Sequence, residues 1–345
     1  MSRCLYCGAE LRSSNSHFCP GHHLSYRRDQ LNIWDMSQEG SEARQVAGRN
    51  LRRFPGWWDY DNNEPTRPAR RGSSSRSTVR EAAPVVARTY DPIEYKFRKF
   101  GIELETVSPS EKVLKDAVDM VRASGLSIRD THYTHSTTAY WKVLTDASLH
   151  GGFCREVVSP AFTSEAGFNE VYNLASTFTT MGVKVNNSCG FHCHLDVADL
   201  VPKQVARILQ FYRVYEAEID KLHQSSRRGN AQYYTGTLNN TKFRAIDPEQ
   251  VNSMNDILSH FNGDHDRYYK VNVQAYLRHG TIEFRQHGAT IDPVKIINWV
   301  KFCTRIVEYA KSDRPIDSSI PLFDALNLSE AEKIYWNHRK EVLAA

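Results

Sequence analysis

Three short segments set ionisable side chains at alternate positions among apolar ones, the spacing that sends them to one face of a β-strand. In Thr281-Ile282-Glu283-Phe284-Arg285-Gln286-His287 the shared face carries Glu283, Arg285 and His287. In Gly101-Ile102-Glu103-Leu104-Glu105 it carries two carboxylates, and in Gly190-Phe191-His192-Cys193-His194-Leu195-Asp196 two imidazoles and a carboxylate. A sheet seldom buries a carboxylate and a guanidinium unless a metal or an anionic substrate requires them. Carboxylates two residues apart on a strand stand about 7 Å from each other, a separation that a divalent cation relieves. Glu156, set in Phe153-Cys154-Arg155-Glu156-Val157-Val158, adds a further carboxylate among β-branched neighbours. These patterns together predict a sheet whose polar face is a metal-dependent site.

The elements that would hold this face alternate strand and helix without a parallel-sheet signature. Strands are predicted near 97–107, 138–149, 153–159, 189–197, 267–277 and 280–288. Helices are predicted near 110–124, 164–181, 203–224, 293–312 and 328–342, with Ser164-Glu165 and Asp292-Pro293 as start signals. Arg278-His279-Gly280 reads as the turn of a hairpin between the last two strands. In the first of these, Tyr268, Lys270, Asn272, Gln274 and Tyr276 would form a polar face continuous with Glu283 and Arg285. The expected fold class is therefore α+β: a curved antiparallel sheet with helices on one face and the other face open.

The N-terminal quarter differs in kind. Cys4-x2-Cys7 and Cys19-x2-His22 have the spacing of two zinc-ligand pairs, with His23 as an alternative fourth ligand. Residues 1–30 are thus expected to be a small zinc finger, treble-clef or zinc-ribbon-like, and structural because four protein ligands leave no open position. Residues 31–60 read as a helical extension. Residues 61–94 read as a linker rich in Pro, Ser and Arg, and residues 95–345 as the catalytic domain. Residues 1–90 hold 14 Arg, no Lys and 9 Asp or Glu, a net charge of +5, whereas the remainder is near neutral. Arg27, Arg28, Arg52 and Arg53 could meet nucleic acid or an acidic partner, or form a solvated arm.

In bulk, 345 residues with 40% apolar and 24% charged content describe an ordinary globular chain. No apolar run approaches the roughly 20 residues needed to span a bilayer, and no signal-peptide core opens the chain, so a cytoplasmic protein without membrane partners is expected. Seven unevenly spread cysteines do not form a disulfide framework. No Walker loop, Gly-x-Ser-x-Gly elbow or His-Glu-x-x-His helix is present.

Seven motifs in order resemble those of the amidoligases, carboxylate–amine ligases with a glutamine-synthetase-like catalytic fold found in phages, bacteria and fungi. They are Gly101–Glu105, Asp146-Ala-Ser148, Glu156–Pro160, Cys189–Asp196, Ser226–Asn230, Tyr269–Asn272 and Thr281–Gly288, covering roughly 97–313. The resemblance implies ATP- and Mg²⁺-dependent formation of an amide bond through an acyl phosphate. It further implies Glu103, Glu105, Glu156 and Glu283 as Mg²⁺ ligands, with His194 preferred over His192 as the accompanying imidazole. Arg285 would clamp phosphate, while Arg227 and Arg228 would hold phosphate or a substrate carboxylate, or sit in a solvated basic loop. Lys270 and Asn272 are candidates for nucleotide or substrate contact. The implied partners are a small-molecule or peptide carboxylate and an amine. Two other readings stand beside this one. One is a zinc metallohydrolase using His192, His194 and Glu283; the other is a non-catalytic adaptor joining a zinc finger to a ligand-binding domain.

Overall fold

The computed structural model describes residues 92–344 except 133, 135, 147 and 230–234. The zinc ligands Cys4, Cys7, Cys19 and His22, the helical extension and the linker up to residue 91 lie outside the described residues. Ile93 is already part of the core, and its carbonyl accepts from Asn327 Nδ2 at 3.0 Å.

One seven-stranded sheet organises everything that follows. Its strands are β1 (Phe100–Ser108), β2 (Ile128–Asp130), β3 (Trp141–Leu144), β4 (Phe153–Val158), β5 (Phe191–Asp196), β6 (Val271–Asn272) and β7 (Thr281–Phe284), in the order β2-β3-β4-β1-β5-β7-β6. Five pairings are antiparallel, but the edge pair β2–β3 is parallel, so the sheet is mixed and not antiparallel throughout. At three residues, β2 is too short to show a period of two.

The apolar face of the sheet carries Phe100, Ile102, Leu104, Val157, Phe191, Cys193, Leu195, Ile282 and Phe284, all buried. Helices cover it. In α1 (Glu111–Ala123) the buried residues Leu114, Ala117, Val118 and Val121 follow the i, i+3, i+4, i+7 pattern, and the Ser110 hydroxyl caps the first turn. The helices α2 (Ala166–Met181) and α3 (Pro202–Val214) flank a later helix, Pro293–Lys311, which also packs on β5. The predicted helix over 203–224 is two pieces, since Tyr215 breaks the dihedral run before α4 (Glu216–Asp220).

The predicted strand over 267–277 is mostly something else. β6 has two residues because the Asn272 side chain accepts from the Gln274 N–H at 2.8 Å, an Asx turn that ends the strand. The chain then makes α5 (Ala275–His279), which Gly280 closes at φ 65°, so the expected hairpin turn is a helical one. The Pro293–Lys311 helix is α6; Asp292 caps its first turn by accepting from Val294 and Lys295. The C-terminal helix α7 (Glu330–Ala344) lays Trp336 on Trp299 and Phe302 of α6.

Candidate active site

On the face away from α1, α2 and α6, strand register turns separate motifs into a continuous polar ladder. Glu105 pairs with Glu156, Glu103 with His192, His194 with Glu283, and Glu283 with Asn272. Paired residues share a face, so five strands contribute to one floor. Above it lies a cleft of about 1000 Å³. Its walls include nine of the sequence candidates: Glu103, Glu105, Glu156, His192, His194, Arg227, Asn272, Glu283 and Arg285.

His192 stands at the centre of the ladder. Its Nδ1 lies 3.0 Å from Glu103 Oε2 and 3.5 Å from Glu283 Oε1, while its Nε2 faces Glu105 Oε1 at 3.9 Å. Two sets of three groups offer ligand atoms within 4.8 Å of one another: Glu103, His192 and Glu283, and Glu105, Glu156 and His192. His192 belongs to both sets, and His194, the residue preferred from sequence, belongs to neither. His194 Nδ1 is engaged with Thr281 Oγ1 at 3.0 Å, and its Nε2 lies 3.4 Å from Glu103 Oε1. Glu283 Oε1 lies 3.5 Å from His192 Nδ1 and 3.9 Å from His194 Nε2. Carboxylate oxygens outnumber imidazole nitrogen in both sets, a donor balance suited to a hard divalent cation such as Mg²⁺ or Mn²⁺.

The surroundings fix the ligands and set their charge. Glu105 accepts from the Gly190 N–H; a Cβ at Gly190 would lie 2.9 Å from His192 Nε2, so only glycine leaves the imidazole its place. Glu283 accepts from Asn272 Nδ2 at 2.7 Å and from the Arg285 guanidinium. Burial favours protonation of Glu103, but hydrogen bonds from His192 and His194 outweigh it and hold the carboxyl well below the usual range. Glu283 is likewise lowered, Arg285 and the histidines overcoming its burial. Glu156 goes the other way: burial, then the neighbouring Glu103, Glu105 and Asp146, push it well above the usual range. Glu156 therefore favours its protonated form beside Glu105 and Glu103, and a cation on the β4–β1 side would let it ionise.

Three sequence expectations lie elsewhere. Lys270 does not line the cleft: it is buried, with Nζ 2.6 Å from both Glu216 and Asp220, so its charge is spent on tying β6 to α4. Arg228 also stays out of the cleft, donating to the His223 carbonyl at 2.8 Å from an exposed loop, whereas Arg227 turns inward. His287 leaves the Glu283–Arg285 face because the pairing with β5 slips by one residue between Cys193–Phe284 and the Gly190–Gly288 bridge; its ring packs on Phe191 and on Trp299 of α6. Conversely, the cleft includes Lys142, Asp146, Arg267 and Arg278. Asp146 stands in the Asp146-Ala-Ser148 motif; Lys142 lies outside the seven motifs, although Trp141-Lys142-Val143 shows the same alternation as the other strands.

A family model described as putative amidoligase enzyme matches residues 96–307, more than half the chain. The chain belongs to this amidoligase family, a family of enzymes that form amide bonds. No curated protein matches it. Among the described residues, no helix is long and apolar enough to cross a membrane.

Proposed function

We propose that the protein is an ATP-dependent carboxylate–amine ligase working with Mg²⁺ or a similar divalent cation. One observation carries the reading: two three-ligand sets of mainly carboxylate donors overlap at His192 on the floor of a single large cleft, beside the Arg285 guanidinium. Glu103 and Glu283 would hold one cation and Glu105 and Glu156 a second, with the single free nitrogen of His192 completing one of the two sets. Bound there, the cations supply charge neutralisation for a triphosphate. Arg285, its guanidinium fixed by Glu283, would steady the phosphoryl group as it moves to the substrate carboxylate. That transfer breaks the bond to the ADP oxygen and forms an acyl phosphate. The amine then attacks the acyl carbon, and inorganic phosphate leaves. Asn272 keeps the Glu283 carboxylate in position, and Arg227 offers a second cation to an anionic substrate group.

Calorimetric titration with ATP, with and without Mg²⁺, tests the reading directly. Wild-type protein should bind ATP only when Mg²⁺ is present. Glu283→Gln should weaken that binding at least tenfold, because it removes both a cation ligand and the partner that orients Arg285. Unchanged affinity in this variant would remove Glu283 from the site.

A further inference from the structure

The sheet register carries one more side chain into the row of the candidate centre. Lys142 on β3 pairs with Val158, Val158 with Glu103, and Glu103 with His192. Lys142 therefore stands on the carboxylate face two strands, about 10 Å, from Glu103. It lines the cleft, yet only 3% of it is exposed.

The partners of its ammonium group are unusual for a buried lysine. Nζ donates to the main-chain carbonyls of Ser136 at 2.8 Å and Thr134 at 3.2 Å, neither of which carries charge. Lys270, equally buried, shows the ordinary solution, with two carboxylates in contact. A buried ammonium without a contacting carboxylate is costly to maintain unless an anion comes to it. Burial draws the Lys142 pKa down, and Glu103 and Glu156 at longer range support the charged form. The other Lys and Arg residues among the cleft's described walls are Lys99, Arg227, Arg267, Arg278 and Arg285, which precede β1 or follow β5. On the β2–β4 flank Lys142 is the only one.

We propose that Lys142 contacts the terminal phosphoryl group of the bound nucleoside triphosphate, from the flank opposite Arg285. A transferring phosphoryl group spreads its charge over three oxygens, so cations on two sides of the carboxylate centre can share it, while the hydrogen bonds to Thr134 and Ser136 fix where the ammonium sits. This inference rests on the ligase reading above.

The two fail differently. Affinities for AMP-PNP and for ADP, both with Mg²⁺, would be measured by calorimetry on wild type, Lys142→Met and Lys142→Gln. Both variants should lose about tenfold or more in AMP-PNP affinity, as expected for a charge-assisted contact, and change less than about twofold toward ADP. Gln retains a donor for the Thr134 and Ser136 carbonyls but not the charge, so a lysine that only staples this segment would leave Lys142→Gln like wild type. That result, or equal losses toward both nucleotides in a variant whose melting temperature is unchanged, overturns the assignment of Lys142 alone. Wild-type protein that binds neither nucleotide overturns the ligase reading and this inference with it.

Discussion

Glu156 shows how a single side chain can be poor for stability and good for ligand binding. It is buried opposite Glu105 with Glu103 and Asp146 close by, and the crowding drives its pKa well above the usual range. A folded-state pKa above the unfolded value gives stability that is complete below the unfolded pKa of about 4.3 and is lost as pH rises through the folded value. Without a cation, the wild-type domain should therefore lose stability on the alkaline side, and Glu156→Gln should not. In EDTA at pH 8 the variant should melt roughly 2–4 °C higher, which is about 1 kcal/mol for a domain of this size. The same variant should bind Mn²⁺ about tenfold more weakly, since it has lost a ligand oxygen. Melting scans from pH 5 to 8, paired with a Mn²⁺ titration, measure both arms. A variant less stable than wild type at pH 8 would mean that Glu156 is already compensated within the protein. The trade-off matches the general finding that functional sites are held at some cost to the fold.

At the scale of elements, what could be read from sequence depended on length and on where pairing stops. β1, β4 and β5 each run six residues or more, and alternation put Glu103 with Glu105 and His192 with His194 on shared faces; register adds Glu156 to them. Most of the long helices were visible as well, one of them through its Asp292-Pro293 start, although the one expected over 203–224 is two pieces. The misses share a cause: alternation says nothing of where hydrogen bonding ends. The Asx turn at Asn272 cuts β6 short, and a one-residue slip in pairing before the Gly190–Gly288 bridge turns the His287 side chain to the helix layer. Register across strands was also hidden, and register is what brings Lys142 into the row of Glu103. Distant pairings inside the helix layer were invisible for the same reason. Arg305 on α6 and Glu332 on α7 form two hydrogen bonds at 3.1 and 2.9 Å, both groups being buried, and Glu332 also accepts from the Ser329 N–H at the start of α7. Removing one partner of a buried pair strands the other charge, which typically costs about 3–5 kcal/mol. Glu332→Ala should lower the urea midpoint accordingly, while the double variant Arg305→Met with Glu332→Leu should recover most of the loss. A single variant within about 0.5 kcal/mol of wild type would show that α7 is not bound to α6 through this pair.

Across the molecule, the polar cleft and the helix layer lie on opposite faces of one sheet, and acid should reach the second through a pair of buried histidines. His223 is fully buried with neither ring nitrogen hydrogen-bonded, its ring edge-on to Trp299 at 4.7 Å and to His287 at 5.4 Å. His287 Nδ1 lies 2.6 Å from the Gly288 carbonyl, and its Nε2 lies 3.4 Å from Arg339 of α7, which also donates to the Leu222 carbonyl. Burial first, and then neighbouring positive charge, holds both rings well below the ordinary histidine pKa. Near pH 8 both are neutral in the folded and the unfolded chain alike, so they contribute almost nothing there. Below about pH 6.5 the unfolded chain takes up protons that the folded domain refuses, and stability falls with pH. Each such histidine contributes a slope approaching about 1.4 kcal/mol per pH unit until its folded pKa is reached. His194 works in the opposite sense, because its pKa is raised by Glu103 and Glu283 despite its burial, so only a difference between variants isolates the core pair. Urea unfolding at half-unit steps from pH 7.5 to 5 should show His223→Phe losing less stability than wild type on acidification, by about 1 kcal/mol at pH 5.5 relative to pH 7.5. Parallel curves for the two proteins would mean that His223 can find a proton and a partner inside the fold, and the acid sensitivity of the core would then rest on His287.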